Sequence, residues 1–117
     1  MAAKDRLGIR GERIAERHLV ARGMTVVDRN WRCPQGEIDL VLRDDDETVF
    51  VEVKTRSSTA YGHPLEAITV VKLARLRRLA AAWCDSHPGV GRIRIDAVAV
   101  IAPRDAPATV DHLERVF

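Results

Sequence analysis

The chain has 117 residues, 46% of them hydrophobic and 31% charged, with a formal net charge of +2. That length and balance suit one globular domain over residues 1–117 and exclude a disordered polymer. No apolar run approaches the roughly 18 residues needed to span a bilayer. The first residues, Met1 to Arg6, lead into a charged amphipathic stretch and not an apolar leader, which predicts a cytoplasmic protein with no membrane partner. Cys33 and Cys84 are far apart and have no second cysteine at ligand spacing, so two reduced thiols are expected. Lysine occurs only at Lys4, Lys54 and Lys72, so arginine supplies most of the positive charge.

From Arg6 to Arg22 the apolar residues Leu7, Ile14, Ala15, Leu19 and Val20 recur near helical spacing, and Gly23 is placed to stop the helix. Met24 to Trp31 reads as a strand, and Cys33 to Gly36 as a turn. Two acid-bearing strands follow, from Glu37 to Arg56, with Asp45 and Asp46 as a two-residue hairpin loop. Ser57 to His63 is a polar loop. Pro64 can open a helical turn. A long helix runs from Thr69 to Ser86, with Leu73, Leu76, Leu79, Ala80 and Trp83 as its apolar stripe, and Pro88-Gly89 ends it. Ile93 to Ile101 alternates as a strand, and Val110 to Val116 predicts a last one. The order is αβββαβ, with one further strand, which predicts an α/β fold: a central mixed sheet flanked by helices.

The hairpin carries the chemistry. With Asp44 paired to Glu47, Asp39 falls opposite Glu52, and Glu37 opposite Lys54. The other face holds Ile38, Leu40, Leu42, Val49, Val51 and Val53, with no polar residue. Opposed residues hold their Cβ atoms about 4.5–5.5 Å apart, and like charges at that separation are destabilising unless a cation or a proton intervenes. One reading is a face that binds a divalent metal. The other is a solvated sheet face, where charges alternate for solubility. A hard cation such as Mg²⁺ or Mn²⁺ takes oxygen ligands. Asp39 and Glu52 can offer a carboxylate oxygen each, and Val53 its carbonyl. Lys54, two residues from Glu52, can orient an attacking water or offset charge on a phosphate, or simply pair with Glu37.

These residues resemble a known group. Asp39 followed by Glu52-x-Lys54, after a helix carrying Glu12, resembles the PD-(D/E)XK nuclease superfamily. Gly36-Glu37-Ile38-Asp39-Leu40, the run Val49 to Arg56 and Asn30-x-Arg32 resemble the bacterial YraN-type family, which is similar to archaeal Holliday-junction resolvases. Gly11-Glu12, Gly62-x-Pro64-x-Glu66-Ala67, and Lys72 with Arg75-Leu76 extend the likeness along nearly the whole chain. The superfamily's proline before the first aspartate is replaced here by Ile38. The resemblance implies a restriction-endonuclease-like core. It also implies that Asp39 and Glu52 bind metal, that Lys54 is the catalytic lysine, that Glu12 completes the acidic cluster and that Glu37 is an accessory member.

Basic residues supply candidate DNA contacts. Lys72, Arg75 and Arg78 track one side of the long helix, and Arg56 and Arg32 flank the hairpin. A solvated helix face is the competing reading of the first three. His63 and Tyr61 lie in the loop after Lys54, where Tyr61 can stack on a base. Trp31 and Trp83 are expected as core or semi-buried anchors and not as base-stacking platforms. The function these features predict is a metal-dependent DNA endonuclease acting on branched or damaged DNA. The rivals are a non-catalytic nucleic-acid-binding module of the same fold, in a repair or uptake assembly, and a protein-interaction subunit. A resolvase-like enzyme needs two sites for two strands, hence a homodimer.

Overall fold

The computed structural model describes residues 3–60 and 62–116. The base-stacking role considered for Tyr61 lies outside the described residues. Helix α1 (Ala3–Ala21) ends at Gly23, whose φ of 102° turns the chain. Gly23 N–H donates to the Val20 carbonyl at 2.9 Å and Met24 N–H to the Leu19 carbonyl at 3.2 Å. That pair satisfies carbonyls that a helix end leaves open. Leu19 is fully buried, whereas Val20 is 46% exposed, so Val20 is not part of the core stripe.

Strands β1 (Thr25–Cys33), β2 (Gly36–Asp44), β3 (Glu47–Arg56), β4 (Arg92–Ile101) and β5 (Thr109–Leu113) form one sheet in that spatial order. β1 runs through to Cys33, so the expected four-residue turn narrows to Pro34 and Gln35 between the paired Cys33 and Gly36. β2 and β3 form the predicted hairpin: Asp44 pairs with Glu47, and Asp45 takes a φ of 52°. Aspartate tolerates that left-handed region better than most residues. β3 and β4 are parallel, so the chain must cross over between them. A one-turn 3-10 helix (Pro64–Ala67) and helix α2 (Val70–Asp85) make that crossing. The Thr69 hydroxyl caps α2 by accepting from the Lys72 N–H at 3.2 Å. β5 stops short of the predicted strand end, because the tail turns back and Val116 N–H donates to the Ile95 carbonyl.

The two central strands of the hairpin serve two cores. Leu40, Leu42, Val49, Val51 and Val53 pack under α1 with Ala15 and Leu19. Val41 and Phe50 pack under α2 with Leu76, Leu79, Ala80 and Trp83. Trp83 is an anchor: its ring meets Phe50 edge-on at 5.5 Å, and its Nε1 donates to Asp28 at 3.1 Å. Both cysteines are unbridged. Among the described residues, no helix is long and apolar enough to cross a membrane.

Candidate functional site

The β2–β3 ladder runs from Asp44↔Glu47 to Leu40↔Val51 and ends there. Asp39 with Glu52, and Glu37 with Lys54, are therefore not strand partners, contrary to the register extended from the turn. Asp39 instead aims Oδ2 at the N–H of Val53, at 2.8 Å. A strand N–H lies in the plane of the sheet, so the carboxylate sits in the gap between the two strands. The same irregularity moves Ile38. It packs against α2 with Val41 and Phe50, and not on the Leu40 and Leu42 face where alternation placed it. Alternation along β3 puts Glu52 and Lys54 on the side that carries Phe50. The acids thus meet across a gap and not on one flat face.

Lys54 Nζ lies 3.2 Å from Glu52 Oε1. Its ion pair is with Glu52, and the alternative pairing with Glu37 is not formed. Glu37 instead has Arg32 at 3.5 Å, its neighbour across β1. Asn30 Nδ2 donates both to Glu12 at 2.8 Å and to Glu37 at 3.1 Å. Asn30 holds a φ of 48°, a conformation unusual outside glycine that recurs at functional sites. Glu12 reaches this place because Gly11 lets α1 come close. A Cβ there would lie 1.8 Å from Thr55 Oγ1.

The group is electrostatically loaded. Burial pushes the Asp39 carboxyl up, to about 7. The charge of Glu52 adds to that, the Val53 N–H opposes it, and Glu12 and Glu37 push it further up. A cavity of about 420 Å³ opens onto Asp39 between α1, β1 and β2, bordered by Glu12, Arg13 and Asn30. The donor set is all oxygen, and accumulated negative charge raises a buried carboxyl, so the residues fit a hard divalent cation. Among the described residues, no three His, Cys, Asp or Glu side chains converge on one ion-sized position. A cation held here would have Asp39 and Glu52 as side-chain donors, with the Val53 carbonyl and water for the rest.

The remaining candidates are dispersed. Lys72, Arg75 and Arg78 are exposed along α2, and Arg56 is exposed at the end of β3. His63 fastens its loop: Nδ1 accepts from the Leu65 N–H at 3.2 Å, and Nε2 lies 2.9 Å from Asp111. Two features escaped the sequence reading. Asn30 appeared there only within a motif, and its bridging needs the fold to bring Glu12 and Glu37 together. The second is a buried ionic group at the other end of the sheet. Asp96, fully buried, accepts from Arg94 at 3.2 Å and from the Arg115 N–H at 3.0 Å, with His112 Nε2 at 2.8 Å. Burial pushes the Asp96 carboxyl up, but these partners outweigh it and hold it below the usual range. The sequence signal was Arg94-x-Asp96 inside an otherwise apolar strand.

The mixed sheet between two helices is an α/β fold compatible with a restriction-endonuclease-like core. The family described as "Uncharacterised protein family UPF0102" matches residues 11–100. A UPF0102 protein of Beutenbergia cavernae is 60% identical over 117 residues, covering 99% of each chain. A UPF0102 protein of Kineococcus radiotolerans is 57% identical over 116 residues, 97% of this chain and 95% of the relative. One from a Nocardioides species is 54% identical over 116 residues, 98% of this chain and 94% of the relative. The chain belongs to the UPF0102 family, the YraN-type family that its motifs resemble.

Proposed function

We propose that this protein is a metal-dependent nuclease that hydrolyses phosphodiester bonds of DNA, with branched or damaged DNA as the substrates to test first. The observation that carries the reading is the set Asp39, Glu52 and Lys54, with Glu12 and Glu37 close enough to help raise Asp39 to about 7. A carboxyl so placed gains most from a cation beside it. Asp39 and Glu52, with the Val53 carbonyl, would hold Mg²⁺ or Mn²⁺. Such an ion supplies positive charge at a phosphoryl oxygen and acidifies an attacking water. Val53 N–H fixes the Asp39 carboxylate in the gap. Asn30 holds Glu12 and Glu37 in place beside it. Lys54, tethered by Glu52, offers an ammonium to the charge that builds on the phosphate or to the water that attacks it. Arg32 and Arg56, with the α2 row Lys72, Arg75 and Arg78, offer phosphate contacts around the site.

A non-catalytic DNA-binding module is the second reading, favoured by the lack of three converging metal-ligand side chains among the described residues. Incubation with four-way-junction, flap, single-stranded and plain duplex DNA, with Mg²⁺ or Mn²⁺, separates the two. Cleavage of any of these, lost on chelation, supports the nuclease. No cleavage, together with no metal binding by calorimetry even with DNA present, overturns it in favour of the module.

A further inference from the structure

Helix α1 carries Arg6, Arg10, Arg13 and Arg17 at successive spacings of four, three and four residues. Side chains so spaced stand one above another on a helix surface. All four border a single cleft of about 460 Å³, together with Ile9. Like charges at these spacings disfavour a helix, and acids on the same line would normally relieve them. Two of the three acids of α1 are engaged elsewhere, Glu12 with Asn30 and Glu16 with Arg29, and the third, Asp5, stands at neither spacing from any of the four arginines. Arg10 donates to the carbonyls of Ala102 and Pro103, both at 3.3 Å, which ties it to the end of β4 without neutralising it. Arg13 and Arg17 are exposed. The cleft leads onward, because Ile9 and Arg13 also border the cavity at Asp39. The described residues that border that cavity come from α1, β1 and β2, and none from α2.

We infer that Arg10, Arg13 and Arg17, with Arg6 at the end of the line, form the track that grips the phosphate backbone of duplex DNA and leads one strand to Asp39. The inference rests on the nuclease reading above. From Arg6 to Arg17 the helix rises about 16 Å, which is the axial rise of about five base pairs. Guanidinium groups match phosphate oxygens two at a time, so an arginine row suits this ligand better than a lysine row. A net charge of only +2 is no obstacle when the cations lie in one line beside the site.

The test is the salt dependence of DNA binding, read by anisotropy of a labelled duplex in a KCl series with EDTA present. Arg13→Gln and Arg17→Gln should each weaken binding and flatten the slope of log affinity against log salt by about 0.9, and the double change by about twice that. Arg13→Lys should keep the slope. Arg43→Gln removes an exposed charge at the hairpin end of the sheet and should leave binding as it was. Thermal unfolding of each variant verifies that the fold is kept. If Arg13→Gln and Arg17→Gln bind like the intact chain, or Arg43→Gln flattens the slope equally, the track is overturned. Cleavage by the intact chain, measured separately with Mg²⁺, would then leave the nuclease reading standing. An intact chain that neither binds nor cleaves DNA overturns both.

Discussion

The N–H of Val53 donates to Oδ2 of Asp39 at 2.8 Å, and this bond marks where β2 and β3 part. A side chain takes a donor from the edge of the ladder, so the carboxylate is pinned between two strands. Pinning leaves it partly shielded from water and beside three other acids, and both conditions favour its protonated form.

The first prediction is a pH dependence of stability. In the metal-free protein Asp39 holds its proton up to about 7, against an ordinary 3.8. Between those values the folded state binds more protons than the unfolded chain, so stability falls as pH rises through that window. The contribution is fully present below the lower value and lost above the upper one. Asp39→Asn removes the term. It should unfold at a higher temperature than the native chain at pH 8 and near the same temperature at pH 4. A gain of about 1 kcal/mol corresponds to about 4–8 °C in a domain near this size. An equal difference at both pH values would refute the assignment.

Metal binding should show the converse. A divalent ion at Asp39 competes with the same proton, so its apparent affinity should decline as pH drops below about 7. Calorimetry with Mn²⁺ in two buffers of different ionisation enthalpy reads the proton released. EDTA should restore the metal-free unfolding temperature. Binding that is flat from pH 6 to pH 8 would move the ion away from Asp39.

For catalysis, Glu52→Gln removes a ligand charge while nearly keeping shape, and should abolish cleavage but leave DNA binding intact or tighter. Lys54→Ala should leave metal binding in place and cost on the order of 10²–10³ in the rate of the chemical step. Single-turnover cleavage of a labelled junction separates this from weaker binding. Full activity of Lys54→Ala would return that lysine to a structural ion pair with Glu52.

Two glycines of α1 should respond in opposite directions. Nothing lies within 4 Å of a Cβ built on Gly8, whereas one on Gly11 meets Thr55 at 1.8 Å. Gly8→Ala should stabilise by about 0.5–1 kcal/mol, the ordinary helix gain. Gly11→Ala should forfeit that gain and lose about 1–3 kcal/mol to overpacking. It should also lower activity, because α1 carries Glu12. Urea titration of both variants checks the signs.

Asp96→Asn should be the most damaging of these changes to stability. It leaves the Arg94 side chain, only 5% exposed, without its closest buried carboxylate. Stranding a buried charge costs about 3–5 kcal/mol. Chemical unfolding should register that loss, and a change under 1 kcal/mol would mean that Asp44 and Glu47, which Arg94 also meets, suffice alone.

Much of this protein is legible in the order of its residues, because local rules decide it. Helical spacing and Gly23 define α1, alternation defines the strands, and Asp45-Asp46 pins the hairpin register as far as Leu40↔Val51. The types Asp39, Glu52 and Lys54 were visible for the same reason. Beyond Leu40 the rule of alternation fails, since Asp39 bonds within the sheet plane and Ile38 crosses to the other core. Only the packed fold brings Glu12 on α1 and Glu37 on β2 to one Asn30, closes Arg94 and Arg115 around Asp96, and sets the arginine row of α1 beside the Asp39 cavity. Those relationships join residues far apart in the chain. Contacts of that kind depend on how the helices dock on the sheet, which no local pattern encodes.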